Sequence, residues 1–329
     1  MARASWDTLL TLAYRALDYW DLNNTQIELI SVSENLVYRV DDERRRTYAL
    51  RIHRPNYRTL TELKSEQLWS TALNQSGVNV PVPILNRDGQ GHAKIESPKI
   101  EETRYVSVVN WVEGETLAIL AEKELDKEKR LVYFEQLGRI AARIHNQATS
   151  WQLPAGFKRQ SFDADGLVGD TPLWGKFWDV PQLTWPQRKL IIDARSRIFE
   201  MLLDCDKDPN IYSLIHSDLS PYNILVANDV LHVIDFDDAG FGWHQYELAG
   251  ALYRYQLSSD FFEVQKALIR GYRTQRVLND EAIKMLPIFL LIRALVTISW
   301  IHERPNLHRK KFLAALIKLA CTQIESLKL

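Results

Sequence analysis

Three oxygen-bearing side chains follow one another closely in residues 214–240. Asp218 lies in a polar loop after one short apolar run, Asn223 precedes a second run, and Asp235 follows a third. Asn228-Asp229 separates the last two runs, which is the sequence pattern of a β-hairpin. A hairpin brings Asn223 and Asp235 to within about one residue of each other, just downstream of Asp218. We therefore expect two carboxylates and one carboxamide to converge there.

This combination of side chains suits the transfer of a phosphoryl group. Mg²⁺ prefers oxygen ligands and usually binds one or two protein groups together with phosphate oxygens, and Asn223 and Asp235 can provide the protein groups. Asp218 can then accept a proton from an attacking hydroxyl. The pattern H-x-D-x-x-x-x-N, which begins at His216, and the later D-F-D match the phosphoryl-transfer template. The alternative is a hairpin with acidic ends, which a lone H-x-D would favour and the full set does not.

The composition indicates a soluble globular protein. The chain has 329 residues, of which 46% are hydrophobic and 25% charged, enough for one large or two medium domains. The formal net charge of −1 argues against a nucleic-acid partner, which would require phosphate neutralisation. Cys205 and Cys321 show no metal or redox spacing, so we interpret them as free thiols of a cytoplasmic protein. Nothing in the sequence indicates an oligomeric state.

The most apolar stretch of the chain, residues 285–301, raises the question of a membrane span. Arg293 lies in its middle and Pro287 near its start. The stretch is too short and too interrupted to cross a bilayer, so we predict a buried helix and no membrane partner. A charged side chain in such a helix should face a partner or a cleft, and a structural salt bridge is the alternative that we favour for Arg293.

The positioning elements are predicted from apolar periodicity and turn residues. Before residue 113 the pattern predicts helices over 4–19 and 61–75, strands over 27–32, 36–40, 47–52 and 104–112, and an extended segment over 80–84. After it, helices are predicted within 131–144 and 190–202 and over 246–257, 261–272, 280–301 and 310–327. Residues 151–184 are rich in Trp, Pro, Gly and Asp and are interpreted as an ordered, irregular insertion.

A break in composition at Glu113-Gly114-Glu115 divides the chain. We therefore predict two lobes, residues 1–112 and residues 113–329. The predicted fold class is α+β, with a small antiparallel β lobe that carries one helix and a larger, mainly helical lobe.

Further motifs make a family resemblance specific. They are N-x-V-Y-x-V from Asn35, R-I-H-R-P from Arg51, E-x-x-W from Glu66, V-P-x-P from Val80 and W-G-K-F-W from Trp174. With the catalytic pattern, they resemble the aminoglycoside phosphotransferase and choline kinase branch of the protein-kinase-like fold, including its homoserine-kinase-like and stress-response Ser/Thr kinase-like members. The resemblance covers about residues 25–300. It implies a bilobal fold with an N-terminal nucleotide-binding lobe, a C-terminal catalytic and acceptor-binding lobe, and ATP and Mg²⁺ as cofactors.

The resemblance also implies roles for residues of the catalytic segment. Asp218 is similar to the catalytic base, and Asn223 and Asp235 are similar to the magnesium ligands. His216 would brace the loop. Glu247 lies where the family often has an aspartate near the catalytic loop, and the alternative is an acid on a helix surface.

In the N-terminal lobe the chain departs from the family. Arg51 occupies the position of the phosphate-binding lysine, and its expected partner is Glu66. Arginine keeps the charge but is not a conservative replacement at a tuned site, and the alternative is an exposed strand residue. The phosphate loop, residues 31–35, has no glycine, so the side chains of Ser33 and Asn35 would contact phosphate.

Two residues at the end of the last strand complete the implied nucleotide site. Val109 and Trp111 lie where backbone groups would meet adenine, and the alternative is a buried strand end. The chain is thus expected to be an ATP- and Mg²⁺-dependent kinase that phosphorylates a hydroxyl.

The acceptor is less defined by the sequence. The mixed charges and aromatic residues of the 151–184 insertion favour a small, moderately polar alcohol or a protein Ser/Thr over an aminoglycoside. The alternative function is a non-catalytic, pseudokinase-like nucleotide-binding regulator. Arg51 and the glycine-free loop support that alternative, whereas Asp218, Asn223 and Asp235 oppose it.

Overall fold

The computed structural model describes residues 6–22, 25–32, 35–97, 102–123, 126–304 and 310–329. The chain forms two compact units. Unit 1 comprises Met1–Glu115, Leu153–Arg159 and Leu225–Asp237, and unit 2 comprises Thr116–Gln152, Gln160–Ile224 and Asp238–Leu329. Residues 214–240 are therefore divided along the chain, with 225–237 in unit 1 and the rest in unit 2.

The strands are short and most of them belong to unit 1. They are β1 (Gln26–Val32), β2 (Leu36–Asp41), β3 (Thr47–Ile52), β4 (Pro83–Ile84), β5 (His92–Ser97), β6 (Glu102–Asn110), β7 (Glu115–Thr116), β8 (Gln160–Phe162), β9 (Tyr212–Ile215), β10 (Ile224–Ala227), β11 (Val230–Val233) and β12 (Gly240–Trp243). Strands β10 and β11 are adjacent in their sheet and form the predicted hairpin, with left-handed backbone at Asn228 and Asp229.

The main sheet of unit 1 is antiparallel, in the order β1-β2-β3-β6-β4, with β5 also paired to β6. Burial alternates along β2 and β3, so one face of the sheet is apolar and packs with residues of the first helix around Leu50. Arg51 follows Leu50 and points to the opposite face, because successive side chains alternate. The alternation of side chains along β3 thus places the Arg51 guanidinium on the face opposite the apolar one.

Helices make up most of unit 2. In chain order the helices are α1 (Trp6–Leu17), α2 (Leu60–Gln75), α3 (Leu117–Lys123), α4 (Lys127–Ser150), α5 (Ala164–Val168), α6 (Trp185–Leu203), α7 (His244–Leu252), α8 (Phe261–Arg273), α9 (Asp280–Lys284), α10 (Leu286–His302) and α11 (Lys310–Leu327). An antiparallel sheet in unit 1 and a mainly helical unit 2 confirm the predicted α+β class.

Several elements differ from the prediction. Strands β5 and β12 and helix α3 were not predicted. Strand β12 contains Gly240 and Gly242, and glycine is depleted in strands, so its sequence does not resemble a strand. The predicted helix over 280–301 is two helices that meet at Met285. Pro287 explains the break, because proline lacks an N–H for a continuing helix but is well suited to the first turn of a new one.

Helix α10 is a buried helix, as predicted. Together with α9 it is long and apolar enough to cross a membrane by length and composition, with a mean hydropathy of 1.9. However, 72% of that apolar window is buried inside the structure, as in the core helix of a soluble protein. Arg293 is itself buried in this helix.

Candidate catalytic site

The loop after β9 carries the H-x-D motif and is fixed from the side of α7. Both carboxylate oxygens of Glu247 accept backbone N–H groups, from His216 at 2.8 Å and from Ser217 at 2.7 Å. Ser217 has φ 68°, in the left-handed region where a residue with a Cβ is strained. The two hydrogen bonds donated to Glu247 therefore hold an unfavourable backbone turn immediately before Asp218.

The carboxylate of Asp218 is held on both of its oxygens. Arg293 Nη2 donates to Oδ1 at 2.8 Å, and Asn223 Nδ2 donates to Oδ2 at 2.8 Å. Asn223 Nδ2 also donates to the Asp218 carbonyl at 2.9 Å. The amide nitrogen of Asn223 is thus committed to Asp218, which leaves its amide oxygen as the group that can bind a cation. The Asp218 side chain is 35% exposed, so solutes can reach it.

Arg293 reaches the loop from α10. Its Nη1 donates to the Ser217 carbonyl at 3.0 Å and to the Tyr246 hydroxyl at 3.2 Å. Its guanidinium lies 5.3 Å from the ring centre of Tyr246 and 5.0 Å from that of Tyr253. Burial acts to lower the pKa of Arg293, but Tyr246 and Asp218 outweigh it and raise that pKa. The partner that the sequence could not specify is therefore the expected catalytic base.

Glu247 is fully buried, so the alternative of an acid on a helix surface is wrong. Burial raises the pKa of Glu247 to about 8, although the two N–H bonds and Arg293 oppose the shift. His145 Nε2 lies 3.9 Å from Glu247 Oε1, and burial keeps the pKa of His145 well below its ordinary value. Glu247 thus titrates beside a neutral histidine and against the loop that carries Asp218.

This raised pKa gives a testable pH dependence of stability. From about pH 4.5 to about pH 8 the folded state retains a proton on Glu247 that the unfolded chain has released. The free energy of unfolding contributed by this group should therefore fall as the pH rises through that window. We expect wild type to lose stability relative to Glu247→Gln between about pH 5 and about pH 8 in urea denaturation. A difference that stays flat over this range would contradict the assignment.

In unit 1, Arg51 lies among three carboxylates. Its Nη1 is 2.8 Å from Glu66 Oε1, and its Nη2 is 3.4 Å from Asp235 Oδ1 and 3.7 Å from Asp237 Oδ1. Burial opposes the charge, yet Glu66 and the two aspartates raise the pKa of Arg51. For Glu66 burial acts upward, but Arg51 and Arg159 together lower its pKa. The expected Arg51–Glu66 pair is present, and the alternative of an exposed strand residue is wrong because the Arg51 side chain is only 15% exposed.

The two aspartates beside Arg51 differ in exposure. Asp235 is 48% exposed in its side chain and has φ 67°, so a strained backbone presents it to solvent. Asp237 is buried and accepts from Asn35 Nδ2 at 3.2 Å. Asn35 Oδ1 in turn accepts the backbone N–H of Arg54 at 3.1 Å. Asn35 is therefore engaged within unit 1 as a support of Asp237.

Arg159 also belongs to the cluster of charged side chains around Arg51, although its sequence did not suggest such a role. It donates to the carbonyls of Phe236 and Asp237, at 3.1 Å and 2.6 Å, and lies 4.0 Å from Glu66. It comes from the short segment of the predicted insertion that belongs to unit 1. The local sequence offers no periodicity that would have marked it.

The other residues expected to contact the nucleotide are Ser33, Val109 and Trp111. Ser33, with Glu34, lies outside the described residues. Val109 is paired with Ala49 of β3 and Pro83 of β4. The backbone N–H of Trp111 donates to the Thr47 carbonyl at 3.1 Å. That N–H is therefore already used in unit 1, so an adenine contact at Trp111 would need another backbone group.

Asn223, in unit 2, and Asp235, in unit 1, each carry an oxygen of the kind that Mg²⁺ binds together with phosphate oxygens. Within the described ranges no group of three or more His, Cys, Asp or Glu side chains could hold a metal ion by itself.

The chain is similar to known phosphotransferases over nearly its whole length. A model of the phosphotransferase enzyme family matches residues 26–280. Amicoumacin kinase of Bacillus subtilis (strain 168) is 25% identical, over an alignment that covers 88% of this chain and 83% of that protein.

Two solved structures are also similar. A microcompartment-associated aminopropanol kinase is 32% identical with a TM-score of 0.83, and the match covers 96% of this chain and 95% of that chain. The amicoumacin kinase hAmiN, in complex with AMP-PNP, Ca²⁺ and Ami, is 21% identical with a TM-score of 0.79, covering 99% and 94%. The second similarity concerns the fold alone.

Proposed function

The chain belongs to the phosphotransferase enzyme family, and from this premise we propose that it transfers the γ-phosphoryl group of ATP, with Mg²⁺, to a hydroxyl of a small molecule. Membership of the family confirms the predicted resemblance and the interpretation as a kinase. The nucleotide, the metal and the acceptor are the parts that we propose.

The observation that carries the proposal is the geometry of Asp218. Its carboxylate is exposed to solvent on one side and fixed by Arg293 and Asn223 on the other. A fixed, accessible carboxylate can orient an acceptor hydroxyl and accept its proton. Asn223 and Asp235 would hold Mg²⁺, which when bound supplies charge stabilisation to the transferring phosphoryl group.

Arg51 is the residue that we propose for binding nucleotide phosphate. Glu66 holds Nη1 at 2.8 Å, which orients the guanidinium, while the longer contacts of Nη2 with Asp235 and Asp237 are easily exchanged for phosphate oxygens. Val109 and Trp111 remain the proposed adenine contacts. Ser33 remains a proposed phosphate contact, and Asn35 would contribute through Asp237.

The acceptor class is proposed from two lines of support. The relatives include an aminopropanol kinase and an amicoumacin kinase. The insertion between Trp151 and Thr184 mixes acidic and basic side chains, so it lacks the predominantly acidic composition that a polycation would require. We propose a small alcohol that carries an amino group, in preference to an aminoglycoside or a protein Ser/Thr.

A turnover assay over a panel of acceptors tests the function. Purified protein with Mg-ATP would be given amino alcohols, sugars, aminoglycosides and a casein-like protein, and ADP release and phosphorylated product would be measured. Acceptor-dependent ADP release that EDTA abolishes is the expected result. A thermal shift with Mg-ATP but no transfer to any acceptor would instead favour the non-catalytic regulator.

Replacing Asp235 tests the proposed metal ligand. We expect Asp235→Ala to weaken Mg²⁺-dependent ATP binding by at least about tenfold, because an exposed carboxylate ligand is lost. Isothermal titration with Mg-ATP, repeated with EDTA, measures this. Asp88→Ala, an exposed acid of the same unit, is the matched control and should bind as wild type. Equal Mg²⁺ dependence in Asp235→Ala and wild type would remove Asp235 from the metal site.

A further inference from the structure

Arg293 is a charged residue in the interior of an otherwise apolar helix. Its neighbours in α10 on either side are Ile292 and Ala294, and both are buried. Burying a guanidinium is costly unless its charge and its N–H groups are compensated. The Arg293 guanidinium donates to the Ser217 carbonyl and the Asp218 carboxylate of the catalytic loop, and to the Tyr246 hydroxyl. The expected structural salt bridge is therefore made with the residue that we propose as the base.

We propose that Arg293 is a positioning residue for phosphoryl transfer, which fixes the carboxylate of Asp218 in the orientation that the reaction requires. The proposal rests on the proposed function, since it presupposes that Asp218 accepts the proton.

The geometry of the guanidinium supports a positioning role. One planar group binds both the Ser217 carbonyl, at 3.0 Å, and the Asp218 carboxylate, at 2.8 Å. It therefore fixes the side chain of the base relative to its own backbone, whereas a lysine ammonium lacks this fork. The rings of Tyr246 and Tyr253 limit where the guanidinium can go. Since each carboxylate oxygen has two lone pairs, Asp218 can still accept a hydroxyl proton.

Stability alone does not account for the charge at this position. A buried ion pair is often no more stabilising than apolar residues of similar volume. Glu247 already holds the backbone of the loop, and the exposed part of Asp218 can be hydrated without a guanidinium. A leucine or methionine at position 293 would suit the rest of α10. We therefore explain the ion pair by its effect on the orientation of the Asp218 carboxylate.

The proton balance of the step is consistent with this role. As the acceptor oxygen bonds to the γ-phosphorus, the bond from phosphorus to the bridging oxygen of ADP breaks, and the hydroxyl proton moves to Asp218. Arg293 stays protonated throughout and takes no proton. The proton then leaves from the exposed side of the Asp218 carboxylate to solvent. Arg293 therefore contributes only by holding the carboxylate of the base in place.

The test compares kinetics of Arg293→Gln, Arg293→Lys and Tyr246→Phe with wild type, using the acceptor found in the panel. We expect Arg293→Gln to lower kcat roughly 10–100-fold, the loss expected for one charged hydrogen bond, with KM for ATP nearly unchanged. Arg293→Lys should recover part of the loss, and Tyr246→Phe should show a smaller loss.

The control is Ser299→Ala, on the same helix, where a buried hydroxyl that bonds to the Val296 carbonyl is removed. It should lower stability without moving kcat. A folded Arg293→Gln protein with wild-type kcat would overturn the proposal. If Arg293→Gln does not fold, wild-type kcat in both Arg293→Lys and Tyr246→Phe would overturn it. An active Asp218→Asn protein would instead overturn the base assignment, so the two failures are distinguishable.

Discussion

Replacing Asp218 with asparagine is expected to lower kcat by about 10²–10⁴-fold while ATP and Mg²⁺ still bind, because the acceptor hydroxyl loses its general base. The substitution keeps an oxygen that can accept from Arg293. It places an amide nitrogen toward Asn223 Nδ2, where two donors then face each other. Asn223 retains its bond to the backbone carbonyl of residue 218, so its amide oxygen remains oriented.

The measurement is steady-state turnover beside isothermal titration with Mg-ATP. Asp193→Asn, an exposed acid paired with Lys189 on α6, is the matched control and should retain wild-type turnover. A large drop in ATP affinity with unchanged kcat would mean that Asp218 acts on the nucleotide and not on the acceptor. Unchanged turnover would remove Asp218 from catalysis.

The residues that sequence predicted well are those whose relation is local. The spacing of Asp218 and Asn223 within one loop predicts that they lie close together, and the structure joins them by two hydrogen bonds. The hairpin was likewise predictable, because alternating apolar runs flank a turn that tolerates left-handed backbone. Arg51 and Glu66 are further apart in the sequence, but the family resemblance already implied that they form a pair, which the structure contains.

The residues that sequence could not place are those whose partners are distant along the chain. Periodicity indicates that Arg293 is buried, but its contact with Asp218 spans 75 residues and depends on how α10 packs. For Glu247 the sequence left a surface acid as the alternative, because its helix is buried on every side and shows no amphipathic pattern. Arg159 lies in irregular chain, where neither period applies. Each of these charges is specified by tertiary packing.

Arg51 is where the second large effect is expected. Arg51→Met should lower kcat/KM for ATP by about 100-fold, because a charged donor to phosphate is lost. It should also reduce the free energy of unfolding by about 3 kcal/mol, near the lower end for breaking a buried pair, since Arg159 still compensates Glu66 at 4.0 Å. Steady-state kinetics and urea denaturation measure the two effects separately. Arg46→Met, which removes an exposed arginine that pairs with Asp42 in the turn between β2 and β3, is the matched control.

Arg51→Lys and Glu66→Gln separate the charge of Arg51 from its orientation. Lysine keeps the charge and can reach Glu66, so we expect a loss in kcat/KM for ATP below about tenfold. Glu66→Gln keeps Arg51 but leaves Asp235 and Asp237 as its nearest carboxylates, at 3.4 Å and 3.7 Å. The guanidinium should then compete with the metal for Asp235, so that ATP binding weakens and added Mg²⁺ restores part of it. Wild-type ATP kinetics in Arg51→Met would show that this arginine does not replace the family lysine and serves unit 1 only as the structural partner of Glu66.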